Sequence, residues 1–340
     1  MDILVIGGNR YFGKRLIALL RESGHHITVL NRGSSTAPAG IEQIIADRND
    51  ESSLESALAG RTFDVVVDQV CYTPRQAEIA LRVFGPRTGR YVMTSTVEVY
   101  EYEDSPVPVT ESALDLETVH VDTSLPWDDP DFLDTHYGEG KRQAEAVFAT
   151  GSPFAWTSVR VAHVLGGTDD FTGRLDHYAR RVRTGEPIAV PVVNHPATYI
   201  YVEEIASFLA WTVASHFTGP VNAHSHGPLT TTDICTAIEQ LTGGRATFHP
   251  VEVGEVSPFS FTRSYGMDNS RATSLGYSFT HSAEWLARAV AETVGGGGTG
   301  GGTGWDAAGD TVGSAAGDAV GSTAGTGFGS AAGDAAGAVL

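Results

Sequence analysis

Residues 2–20 read DILVIGGNRYFGKRLIALL, and that order of residue types leaves few folds open. Ile3-Leu4-Val5-Ile6 is a continuous apolar run, the mark of a strand buried on both faces. Gly7, Gly8 and Gly13 follow, and then apolar residues at helical spacing, Phe12, Leu16, Leu19 and Leu20, up to a stop at Gly24. A buried strand that enters an amphipathic helix through a glycine turn opens a βαβ crossover. Gly7 permits the tight turn, Gly13 lets the helix lie close on the strand, and the helix N-terminus offers unpaired N–H groups to a pyrophosphate. A plain connecting turn would not need three glycines.

The pattern repeats. HITVLN (26–31), EQIIAD (42–47), FDVVVDQV (63–70) and GRYVMTST (89–96) read as further strands, and AWTSVRVAHVLG (155–166) as a sixth with its exit loop. Between them SSLESALAG (52–60) is expected to be a helix with a Ser cap, RQAEIALRVFG (75–85) a helix after Pro74, and YGEGKRQAEAVFA (137–149) another. Alternation at this pace implies right-handed crossovers and an α/β, Rossmann-type, doubly wound parallel sheet. Residues 1–166 are expected to form this dinucleotide-binding domain, with an irregular insert at 101–135 that carries eleven acids and no Lys or Arg. Helices at 176–185, 203–215, 231–243 and 282–294 are expected in a smaller C-terminal substrate lobe, 167–294. From 295 to 340 nearly every residue is Gly, Ala, Ser, Thr or Asp; such a tract buries too little apolar surface to offset its ordering entropy and is expected to be a disordered tail.

The formal net charge is -19, and the tail supplies only four of the acids. Lys14 and Lys141 are the only lysines. Two readings fit: a soluble acidic protein from an arginine-favouring organism, or adaptation to a salt-rich, halophilic cytoplasm where self-repulsion is screened. Either way the surface repels phosphodiester backbones, so nucleic acid is not an expected partner. Cys71 and Cys235 form neither a disulfide framework nor a zinc spacing, and His224 and His226 lack a third ligand nearby, so no metal is expected. No apolar run approaches 18 residues, so no membrane is expected, and a cytoplasmic location is the default.

Arg10 stands where a nucleotide-binding turn often has its middle glycine. Its side chain would crowd a pyrophosphate and is expected to swing outward, beside the adenosine end. The second strand ends in Asn31 and Arg32, where an NAD site usually carries an acid for the ribose 2′-hydroxyl. Arg10 and Arg32 can instead clamp a 2′-phosphate, which favours NADP over NAD. Asp47 ends the third strand, where it either accepts from the adenine amino group or shapes the turn into the next helix.

Tyr137 and Lys141, four apart on a helix, share one face. A phenol is a poor base at neutral pH, but a neighbouring ammonium lowers its pKa. Thr96, at the carboxyl end of the fifth strand, can hydrogen-bond a substrate oxygen beside Tyr137, whereas Thr94 and Ser95 read as strand residues.

With these residues in view, the chain resembles the extended short-chain dehydrogenase/reductase superfamily, of the NAD-dependent epimerase/dehydratase type. The resemblance covers about residues 1–290 and rests on GGNRYFG, FDVVVDQVCYTP, YVMTSTVEVY, YGEGK, VRVAHVLGG, IYVEEIA and MDNSRATSLGY. Arg10 and DQVCYTP look more like the atypical branch that includes chloroplast stem-loop-binding proteins. The resemblance implies that Tyr137 exchanges a proton with a sugar hydroxyl, that Lys141 holds the nicotinamide ribose, and that hydride passes to or from the nicotinamide. Family dehydratases carry Thr-Asp-Glu where this chain has Thr96-Val97-Glu98; the missing acid argues against 4,6-dehydration. Asp68 stands where typical members have a His-containing turn. Family members often form homodimers.

A nucleotide sugar brings a diphosphate, so cations are expected in the second lobe: Arg174, Arg180, Arg181 and Arg183, with Arg160 and Arg263 as further candidates. The alternative for the cluster is a solvated basic helix face. Glu98 is a further candidate substrate contact. The acidic insert precedes Tyr137 and is expected either to close over the sugar or to be a surface loop. The expectation is an NAD(P)-dependent epimerase or oxidoreductase acting on a nucleotide sugar. Competing readings are an NADPH-dependent reductase of another small carbonyl and a non-catalytic cofactor- or RNA-binding relative.

Overall fold

The computed structural model describes residues 1–296 apart from 104, 106 and 107. Its strands are β1 (Asp2–Ile6), β2 (His26–Asn31), β3 (Glu42–Ile45), β4 (Val65–Asp68), β5 (Arg90–Thr96), β6 (Ala155–Val161), β7 (His163–Leu165), β8 (Pro187–Pro191), β9 (Tyr199–Tyr201), β10 (Gly219–Ala223) and β11 (Thr247–Val251). Seven of them pair side by side in the order β10-β6-β5-β4-β1-β2-β3, parallel throughout. This is the expected Rossmann-type doubly wound sheet. Strand order reverses at β1, which pairs β2 on one side and β4 on the other, so a crevice opens at the carboxyl ends of β1 and β4. The outermost strand, β10, comes from beyond residue 166. Its sequence GPVNA has no apolar run and gave no strand signal; register against β6, Val221 opposite Val159, makes it a strand.

The helices are α1 (Phe12–Glu22), α2 (Glu51–Ala57), α3 (Pro74–Phe84), α4 (Pro130–Thr135), α5 (Tyr137–Gly151), α6 (Arg174–Thr184), α7 (Val202–Ala214), α8 (Thr231–Thr242), α9 (Ser270–Ser274) and α10 (Ser282–Gly295). Alternate residues of β1 go to opposite layers. Ile3 and Val5 pack with Leu16, Ile17 and Leu20 of α1, while Leu4 and Ile6 pack on the side of Ala77 and Ala80 of α3 and Phe148 of α5. The expected Ser cap on the second helix is corrected. Asp50 is the N-cap, its carboxylate accepting from the backbone N–H of Ser52 and Ser53, and the helix starts one residue early. Gly295, where the expected tail begins, is the last residue of α10; from 297 on the tail lies outside the described residues.

The acidic insert is tied into the body. Val109 exchanges backbone hydrogen bonds with Gly266 and Asp268, both at 2.8 Å. Arg75 of α3 donates to the carbonyls of Thr123 and Leu125. The Glu111 carboxylate accepts from the backbone N–H of Asn222 on β10.

Candidate active site

The glycine turn is built as its sequence requires. Gly7 and Gly8 hold φ of +82° and +81°, and a Cβ on Gly13 would lie 2.5 Å from Gln69 Oε1 and 2.6 Å from Gly8 Cα. Tyr11, the residue before α1, also holds a left-handed φ of 50°. Its hydroxyl donates to the Gly166 carbonyl (2.7 Å), pinning the turn to the loop after β7. Asn31 faces the same crevice. Its Oδ1 accepts from Gly33 N–H and Gln43 Nε2, and its amide donates to Ser35 O. Arg10 and Arg32 are exposed and make no ion pair among the described residues. Asp47 Oδ1 accepts from Asn49 N–H (2.9 Å), and the residue does not line the crevice.

Tyr137 and Lys141 arrive on α5. Glycine inside a helix costs about 1 kcal/mol against alanine, yet Gly138 and Gly140 flank this pair for a steric reason. A Cβ on Gly138 would meet Glu98 O at 2.5 Å, and one on Gly140 would meet Tyr72 O at 2.4 Å. Gly138 lets α5 lie on the exit of β5 and Gly140 on the segment after β4, and Tyr137, Lys141 and Thr96 line the same crevice as the glycine turn. Lys141 is buried and its Nζ donates to the Thr94 carbonyl (2.7 Å), 4.5 Å from the Tyr72 ring centroid and 5.8 Å from that of Tyr137. Burial lowers the ammonium to about 8. The expected lowering of the phenol by Lys141 does not appear. Burial, and then the nearby Glu98 carboxylate, push the Tyr137 phenol up, against the opposing effects of the Thr96 hydroxyl and Arg174. Thr94, read as a strand residue, is part of the site: its carbonyl anchors Lys141 and it lines the crevice.

The other end of the crevice is aromatic. Glu98 is buried, and one carboxylate oxygen accepts from the Tyr265 hydroxyl while Oε1 has no hydrogen-bond partner among the described residues. Burial raises this carboxyl to about 7, with Tyr265 opposing the shift. His163, which sequence reasoning missed, lines the same wall in a cage of rings, with Phe261 stacked at 5.2 Å and Tyr265, Phe259 and Tyr199 within 5.7 Å. Burial and then Arg174 push its pKa down to about 3, so the imidazole is neutral; its Nε2 is also unpartnered. Arg174 lines the crevice with its guanidinium 5.1 Å from the Phe259 centroid.

The remaining candidate cations do not line the crevice and have partners within the chain. Arg180 pairs with Glu186. Arg181 donates to Pro187 O and meets His177, and Arg183 donates to Ala179 O. Arg263 donates to Glu103 O and lies 4.3 Å over Tyr265. Arg160 is fully buried in an ion pair with Glu145 (2.6 Å). Asp68 also turns inward: it accepts from Arg48 and from the Tyr91 hydroxyl, and closes a turn by accepting from Val70 N–H. No group of three or more His, Cys, Asp or Glu that could hold a metal occurs among the described residues, nor a helix long and apolar enough to cross a membrane.

The profile of the NAD dependent epimerase/dehydratase family matches residues 3–224 of the 340. The chain belongs to that family. Within the match lie the glycine turn, Thr96, Glu98, Tyr137, Lys141, His163 and Arg174. Among curated relatives, the chloroplast stem-loop binding protein of 41 kDa b of Arabidopsis thaliana is 26% identical over 204 residues, 56% of this chain and 48% of that protein. The 2'-dehydrokanamycin reductase of Streptomyces kanamyceticus is 25% identical over 138 residues, 38% of this chain and 39% of that one. The chain thus spans about half or less of the length of the curated relatives it matches. Among solved structures, the UDP-glucose 4-epimerase of Thermotoga maritima with UDP-glucose aligns at a TM-score of 0.67 with 18% identity, over 86% of this chain and 98% of that one. The enzyme WbmG of Bordetella bronchiseptica in complex with NAD aligns at 0.65 with 17% identity, over 87% and 93%. These likenesses carry the fold of the family.

Proposed function

We propose that the chain is an NAD(P)-dependent oxidoreductase or epimerase that works on a hydroxyl or carbonyl carbon of a nucleotide sugar or a comparable small compound, through Thr96, Tyr137 and Lys141. One observation carries this reading: the glycine turn and these three residues face a single crevice. The turn suits a dinucleotide because the positive φ of Gly7 and Gly8 and the close packing of Gly13 on Gly8 bring the N-terminus of α1 to the crevice wall, where its unpaired N–H groups can face a pyrophosphate. Lys141 and Thr94 would hold the nicotinamide ribose side, and Asn31 the adenosine side. A bound nicotinamide would supply hydride donation or acceptance. Thr96 orients the substrate oxygen, and Tyr137 carries the proton. Because its phenol keeps that proton, the arrangement suits donation to a carbonyl oxygen as it is reduced. Unpaired Arg10 and Arg32 favour NADP.

Structural neighbours crystallised with NAD and UDP-glucose support the nucleotide-sugar form. The engagement of Arg180, Arg181, Arg183 and Arg263 with other groups of the chain, and the likeness to a 2'-dehydrokanamycin reductase, favour a second reading, reduction of a smaller carbonyl. The stem-loop-binding relative suggests RNA, which the net charge of -19 opposes. The test is to titrate NAD+ and NADP+ by calorimetry, then to incubate panels of nucleotide sugars and free polyol compounds with the oxidised cofactors, and free carbonyl compounds with the reduced ones, reading nicotinamide absorbance for net oxidation or reduction and NMR for epimerised products. Cofactor binding without turnover of any of them would overturn the proposal.

A further inference from the structure

Buried polar atoms without partners are costly to keep, since each loses its hydrogen bonds to water and gains none in return. Several such atoms belong to residues that line the crevice, Glu98 Oε1 and His163 Nε2 among them. Glu98 and His163 are each more than nine-tenths buried, Glu98 Oε1 and His163 Nε2 lack partners among the described residues, and both side chains line the crevice beyond Tyr137. Neither is loose. Tyr265 fixes the second oxygen of Glu98, and the four surrounding rings fix the imidazole. This is a rigid pair of hydrogen-bonding groups set in an aromatic cage and waiting for donors.

The charge of the same wall is balanced. Arg174 and Arg263 both face the Glu98 carboxyl closely enough to lower its pKa, and Glu101 opposes them, while Arg180, Arg181 and Arg183 are turned to carbonyls or to Glu186. Two guanidiniums set among two carboxyls, with Arg263 already donating to Glu103 O, do not make an open diphosphate site. Arg10 sits at the opposite, cofactor end.

We infer that the substrate end of this crevice reads a phosphate-free ring rich in hydroxyl or amino groups, with Glu98 and His163 as its specificity-determining residues. The inference rests on the oxidoreductase reading and narrows its substrate class. Glu98 accepts a hydroxyl or ammonium proton of the ring through Oε1. His163, neutral, accepts or donates through Nε2 according to its tautomer.

The experiment uses the full chain saturated with NADP+, so that a nucleotide cannot enter the cofactor end. UDP is titrated by calorimetry as the probe of a nucleoside-diphosphate site. In parallel, glucosamine, neamine and myo-inositol are compared with UDP-glucose, net oxidation being read by cofactor reduction and epimerisation by NMR of the products. The expected result is a Kd for UDP weaker than about 1 mM and turnover of a free ring in preference to UDP-glucose. Tighter UDP binding, or turnover of UDP-glucose alone, overturns the inference. Turnover of neither class, with cofactor bound, overturns the oxidoreductase reading itself and this inference with it. On the ring that is turned over, Glu98→Gln and His163→Leu are each expected to raise KM about tenfold, the loss of roughly one buried hydrogen bond, with cofactor Kd unchanged. Unchanged KM in both variants overturns the assignment of these residues, and a shifted cofactor Kd in both reassigns them to structure.

Discussion

At the cofactor end, most of the groups that face the crevice, Gly7 to Phe12 and Asn31, come from one short strand–turn–helix–strand unit, with Gln69 and Val70 beside its glycines. At the substrate end, Glu98 meets Tyr265 across 167 positions, and His163, Arg174 and Phe259 come from other elements. The first end is open and cationic, with Arg10 and Arg32 exposed; the second is buried, aromatic and balanced in charge. Local order suffices to bind something that all relatives of a fold share. Selecting a substrate takes side chains that only tertiary packing brings together.

The seam between the ends is Tyr137, and its removal should have the largest effect. Tyr137→Phe is expected to lower kcat about 10³-fold, within the usual range for loss of a positioned acid or base, with little change in cofactor Kd. Single-turnover absorbance measurements check this; a variant of full activity would move the proton transfer to another group, and Glu98 would be examined first.

The substrate end should also show itself in stability. Glu98 keeps its proton up to about 7 in the folded chain, against an ordinary value of 4.5. Between those pH values the native state binds more protons than the unfolded one, so stability falls as pH rises. At about 1.4 kcal/mol per pH unit, the gap amounts to about 3 kcal/mol. Denaturation of wild type and Glu98→Gln at pH 4.5 and pH 8 isolates this contribution. The variant should gain about 3 kcal/mol on wild type across that interval, and parallel curves would mean that Glu98 is ionised in the fold.

The cofactor end gives a smaller and opposite kind of effect, electrostatic and at the surface. Arg10→Ala with Arg32→Ala is expected to weaken NADP+ about tenfold, in line with a charge-assisted contact to phosphate, and to leave NAD+ unchanged. Equal loss for both cofactors would place the arginines on the shared diphosphate instead.

How much of this was legible follows the same division. The order of β1 to β6, the glycine turn and the Tyr137–Lys141 helix could be read because each is a local pattern: an apolar run, a glycine spacing, two residues one helical turn apart. Gly138 and Gly140 were in plain view, but their purpose depends on where Glu98 O and Tyr72 O come to lie. The basic run at 174–183 looked like a phosphate site because sequence does not show that Glu186 and Pro187 O stand beside it. Lys141 looked like a modifier of Tyr137 because spacing puts them on one face; the structure sends its ammonium to Thr94 O, and burial governs both groups. His163 carried no signal at all inside an apolar strand, since its meaning lies in four rings from elsewhere.

Tyr11 joins the two ends, and the smallest predicted effect tests whether they are coupled. It sits in the glycine turn with a φ of 50°, a conformation that a bulky residue rarely adopts. The buried ring and a hydroxyl bonded to Gly166 O hold it there. Gly166 belongs to the loop that leads through Phe171 and Thr172 to Arg174 on the substrate side, and Phe171 lies edge-on to the Tyr11 ring. Tyr11→Phe keeps the ring and removes only the bond. The expected cost is about 1 kcal/mol, a fall in Tm of about 2 °C in a chain of this size. A strut between two ends should release both: hydrogen exchange is expected to quicken in the glycine turn and in residues 166–173 together. Quickening confined to 166–173 would mean that the turn holds its own strained shape, and that the cofactor end is independent of the substrate end in its folding as well as in its sequence.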